Sequence, residues 1–96
     1  MRGMLSFQIL WLLSKRNMHG EEIAREIGAR RGEKPKAGTL YPALKDLSAN
    51  GLIKGVRSGK TVTYAITRKG TYTVKYSIIY FVRSFGDIFE ESRNSS

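Results

Sequence analysis

Between Met4 and Leu13 the chain places eight apolar side chains in ten positions. The spacing predicts a helix from about Met4 to Lys15. Leu5, Ile9, Leu12 and Leu13 share one face, but Phe7, Leu10 and Trp11 lie elsewhere around the cylinder. A helix that is apolar nearly all round has to be covered on more than one side, so something beyond one small core must contact it. Trp11 on such a helix reads as packing rather than as a ligand contact. The run is not read as a signal peptide, because only Arg2 precedes it and Lys15-Arg16 end it without a small-residue cleavage site. Nor is Ile78–Val82 read as a membrane span, since a bilayer needs about 20 apolar residues.

The rest of the chain divides into short elements. Asn17-Met18-His19-Gly20 reads as a break, with His19 packing or capping the next helix. That helix turns Ile23, Ala24 and Ile27 inward and is expected to end at Gly28. A surface loop, Gly28–Lys36, then carries Arg30, Arg31, Lys34 and Lys36. In Gly38-Thr39-Leu40-Tyr41-Pro42-Ala43-Leu44, Thr39 is expected to N-cap a helix running to Asn50, with Pro42 in its first turn. Leu40, Leu44 and Leu47 point inward, and Thr39, Tyr41, Pro42 and Lys45 outward. Gly51 suits the left-handed position after the helix. Leu52–Arg57 and Thr61–Ile66 read as a hairpin with a basic tip at Ser58-Gly59-Lys60. Thr67 caps a last helix reaching about Glu91. There Val74, Ile78, Phe81, Phe85 and Ile88 keep the alternating spacing of a heptad seam, widened by Tyr72, Tyr76, Ile79, Val82 and Phe89.

This order defines a mainly α fold with a small β hairpin. It is a winged helix-turn-helix of three helices and a two-stranded wing, whose N-terminal and C-terminal helices form a dimer interface. Ninety-six residues make one such unit, divided into a DNA-binding domain at 1–70 and a dimerisation helix at 71–96.

Charge indicates the partner. The chain carries a formal +9, and residues 15–75 alone hold fourteen Lys/Arg against five Asp/Glu. A polyanion fits that segment, with nucleic acid ahead of a membrane surface. With no cysteine and one histidine, disulfides, thiolate metal sites and Cys/His catalysis are not expected, and the chain reads as cytoplasmic. No paired carboxylates, Gly-rich phosphate loop or nucleophile–base pair suggests an enzyme, and no cofactor or metal is expected.

The motifs resemble the PadR family of transcription regulators. The resemblance rests on Met18-His19-Gly20 with Glu22-Ile23, on Gly38-Thr39-Leu40-Tyr41-Pro42-Ala43-Leu44, and on Leu47 and Gly51-Leu52-Ile53. Tyr64-Ala65-Ile66-Thr67-Arg68-Lys69-Gly70 closes the pattern, so that it covers residues 9–70. It implies a homodimeric regulator, usually a repressor, that binds double-stranded DNA. Thr39, Tyr41 and Pro42 match the family's DNA-facing motif, and the Tyr corresponding to Tyr41 faces the DNA backbone. Three departures stand out: Glu21 replaces an aromatic, the wing is shorter and less basic, and Lys36-Ala37 replaces Ser-Pro, leaving Thr39 as the cap.

The expected function is a repressor reading a palindromic operator through helix 39–50 and wing 57–61. Its expected DNA-binding residues are Lys36, Thr39, Tyr41, Pro42, Lys45, Arg57 and Lys60, and its dimer contacts Val74, Ile78, Phe81, Phe85 and Ile88. The alternative is an architectural protein that coats DNA without reading it, because the exposed face of the recognition helix offers Lys45 but no Arg, Asn or Gln before Asn50. The sequence leaves any small-molecule effector undefined.

Overall fold

The computed structural model describes residues 2–94. The elements are α1 (Arg2–Leu13), β1 (Met18–His19), α2 (Gly20–Arg31), α3 (Ala37–Ala49), β2 (Ile53–Ser58), β3 (Thr61–Ile66) and α4 (Arg68–Asn94). The strands form one antiparallel sheet in the order β1-β3-β2. The fold is the expected winged helix with one addition, a third strand: Met18 pairs with Tyr64 and His19 with Thr63. The expected break at 17–20 is thus partly a strand, formed by pairing with a distant segment.

The core is assembled around α1. Ile9 and Leu13 are fully enclosed, together with Ile23 and Ile27 from α2 and Leu40 and Leu44 from α3. Leu10, on another side of α1, is buried as well. The helix that was apolar all round is therefore largely covered within this chain, with Phe7 and Trp11 left half-buried.

Two helix boundaries differ from expectation. Gly28 does not end α2, which continues to Arg31 and stops where Gly32 takes a left-handed φ of 78°. A Cβ on Gly28 would lie 3.1 Å from the Lys34 Cα, so this glycine admits the returning chain instead of capping the helix. Arg30 and Arg31 consequently sit on helix, not loop. Likewise α3 begins at Ala37, with Lys36 as an N-cap that makes no side-chain bond. Thr39 is therefore not the cap but the third helical residue. Pro42 lies in the second turn, past the free N–H groups, and withholds a donor from the Gly38 carbonyl.

His19 caps α2: its Nδ1 accepts from the Glu22 N–H, and the Glu22 carboxylate accepts from the His19 N–H, both at 3.2 Å. At the other junction, Thr67 accepts the Gly70 N–H at 3.1 Å and so caps α4 as expected. It also donates to the Gly51 carbonyl at 2.6 Å, while Lys69 donates to the Asn50 carbonyl at 2.9 Å and the Thr67 N–H to the Leu52 carbonyl at 3.1 Å. These bonds latch the start of α4 onto the end of α3.

Candidate nucleic-acid interface

Leu40, Ala43, Leu44 and Leu47 bury one stripe of α3. At 3.6 residues per turn, the opposite stripe is Gly38, Pro42, Lys45 and Ala49, and all four are exposed. Tyr41 and Ser48 flank this stripe on one side, Thr39 and Asp46 on the other. The structure therefore puts Pro42 and Lys45 at the centre of the outward face and separates Thr39 from Tyr41.

Tyr41 is half-exposed and has a built seat. A Cβ on Gly20 would come within 2.8 Å of the Tyr41 hydroxyl and 3.1 Å of its ring, so only glycine at the start of α2 admits the phenol there. Tyr64 of β3 lies near enough for burial, and secondarily Tyr41, to push its own phenol above the ordinary value of 10.0. Sequence reasoning missed Gly20 and Tyr64 as partners of Tyr41. The signal was present in the joint occurrence of His19-Gly20 and Leu40-Tyr41-Pro42, two motifs that meet in space.

Lys36 stands exposed at the open N-terminus of α3. A groove of about 610 Å³ beside it is lined by Arg31, Lys34, Lys36, Gly38, Thr39 and Pro42, among others. Of the cations in that groove, Lys34 pairs with Glu21. Away from the groove, Arg16 pairs with Glu22 at 2.9 Å, and Arg30 lies 4.6 Å from the centre of the Trp11 ring. Glu21 is held below its ordinary 4.5 by the hydrogen bond and charge of Lys34, and Glu22 by the hydrogen bond from Arg16 and the His19 N–H. The acids at the start of α2 are in this way neutralised by neighbouring bases.

Arg57 and Lys60 are exposed at the far end of the hairpin, where Arg57 pairs with Val62 and Gly59 makes the turn with a φ of 63°. Ile53, paired with Ile66, anchors the near end in the core. Lys54, exposed beside Ile53, is a further cation that the sequence reading did not single out.

On α4 the heptad seam splits. Val74 is 4% exposed in the domain core and has no surface left for a partner, so it is removed from the expected dimer contacts. Ile78, Phe81, Phe85 and Ile88 are exposed, as are Tyr72, Tyr76, Ile79 and Val82. Phe81 lies 6.0 Å from Phe7 of α1 and 6.3 Å from Phe85, ring centre to ring centre. The side chain of Phe89 lies outside the described residues. Among the described residues there is no cluster fit to hold a metal ion, and no helix long and apolar enough to cross a membrane.

The family model for PadR-like transcriptional regulators matches residues 9–75, from α1 into the first turns of α4. The chain belongs to the PadR-like family. Solved structures agree with that placement. RosR of H. salinarum is 30% identical, with 84% of this chain and 74% of that one covered and a TM-score of 0.79. A transcriptional regulator from Clostridium thermocellum is 29% identical over 93% of this chain and 90% of its own, with a TM-score of 0.82. A PadR-like transcription factor from Bacteroides fragilis is 25% identical, covering 99% and 92%, with a TM-score of 0.75. Comparison with curated proteins gave no match.

Proposed function

We propose that this PadR-like protein is a sequence-specific DNA-binding transcription regulator, a repressor, acting as a homodimer on a palindromic operator. The observation that carries the reading is α3 itself. Its outward face is free of its own fold, it begins at an uncapped N-terminus beside Lys36, and it is flanked by a phenol seated against α2. Lys36, Thr39, Tyr41, Arg57 and Lys60 address phosphates, and Pro42 and Lys45 enter the major groove. The exposed seam Ile78, Phe81, Phe85 and Ile88 supplies the twofold contact. A non-enzymatic role follows from the same reading.

The architectural alternative draws on the same charge, +9, and on the scarcity of hydrogen-bonding side chains along α3. Selection of bound duplexes from a random pool separates the two. A specific dimer enriches a palindrome whose half-sites lie about one helical turn apart, whereas a coating protein enriches nothing. Repression is then checked by placing the selected site over a promoter and measuring transcription with and without the protein.

A further inference from the structure

We propose that Pro42 and Ala49 are specificity-determining residues that read thymine through its C5-methyl group. The inference rests on the reading of α3 as the helix that enters the major groove. The centre of its outward face is Gly38, Pro42, Lys45 and Ala49, and nothing lies within 4 Å of where a Gly38 Cβ would stand. Three of these four side chains are small or apolar, and only Lys45 can reach a base acceptor. Such a surface lets the helix axis approach the floor of the groove closely.

In the major groove thymine is distinguished by a methyl group, and that is what an apolar side chain can contact. Pro42 and Ala49 are seven residues apart, roughly 10 Å along the helix at 1.5 Å per residue, or about three base pairs at 3.4 Å. Lys45 lies between them on the same stripe. The half-site this face fits has two thymines contacted by methyl groups, bracketing two base pairs, in one of which guanine O6 and N7 accept from Lys45. Asp46 and Thr39 stand to one side of the stripe and Tyr41 and Ser48 to the other, where they meet the walls of the groove.

The test starts from the duplex enriched in the random-pool selection, with each thymine of the half-site replaced in turn by deoxyuridine, which removes one methyl group and keeps base pairing. The expected result is a loss of about fourfold in affinity at two positions per half-site, the value of one buried methyl-sized group. In Pro42→Gly, which leaves no side chain to meet a methyl group, the difference between thymine and uracil vanishes at one of these positions, and in Ala49→Gly at the other. Circular dichroism verifies that both variants are folded. A selectively bound duplex that tolerates uracil everywhere overturns the inference and leaves the function standing, as does a methyl dependence unchanged in both variants. A pool that enriches no sequence overturns the specific-regulator reading and this inference with it.

Discussion

Gly20 and Gly70 are both glycines by necessity, yet they predict opposite phenotypes. A Cβ on Gly20 meets the far end of a half-exposed tyrosine, which can swing away; a Cβ on Gly70 meets the Leu52 carbonyl oxygen at 2.1 Å, which is backbone and cannot. Gly20→Ala therefore leaves thermal stability within about 1 kcal/mol, helped by alanine's better helix propensity. It unseats Tyr41, and DNA affinity falls for every sequence alike. Tyr41→Phe gives the same uniform loss, with unchanged sequence preference, because a phosphate contact carries no base information. Binding titrations on the selected duplex and a scrambled one check both variants. Gly70→Ala, by contrast, costs about 3 kcal/mol by forcing α4 off the hairpin, readable as a lowered melting temperature. At this scale, sequence reasoning found Tyr41, Pro42 and Lys45 as exposed but not what holds Tyr41. A seat made of missing atoms leaves no trace in hydrophobic periodicity.

Among the elements, those with strong local signals were legible. The hairpin, the Gly51 turn, the Thr67 cap and the long C-terminal helix all lie where the residues place them. Boundaries set by tertiary contact did not. Gly28 resembles a helix terminator, but its neighbour is Lys34 across a tight return, and β1 exists only through Tyr64 and Thr63. Charge pairing at the start of α2 gives a pH dependence. Glu21 and Glu22 titrate lower in the folded protein than their ordinary 4.5. Their contribution is fully present above that value and is lost as pH falls below it through the folded value. The melting temperature should thus decline in acid below about pH 4.5, and the Glu21→Gln/Glu22→Gln double variant should flatten that limb. Because both groups are exposed, the effect is small. For α4, Phe81→Asp or Phe85→Asp should yield monomers and abolish most DNA affinity, since a carboxylate cannot be buried unpaired in an apolar seam. Sedimentation of an intact mutant dimer would refute that assignment.

The whole molecule measures 59 × 29 × 20 Å, elongated well beyond what its core requires. Its base-rich segment and its exposed apolar stripe occupy different parts of the chain, the first in residues 15–75 and the second mainly beyond them. That division was legible from charge and heptad spacing alone. What spacing could not reveal is the latch, in which Thr67 and Lys69 at the start of α4 hold the carbonyls of Asn50 and Gly51 at the end of α3. Such a joint makes α4 a crank. In the proposed dimer the angle at which two copies of α4 cross fixes the separation and phase of the two recognition helices. One base pair inserted between half-sites turns one of them by roughly 35°. Affinity should then fall to that for a single half-site, measured on otherwise identical duplexes. By the same mechanics, whatever alters the crossing of the two α4 helices retunes the reading heads without touching them.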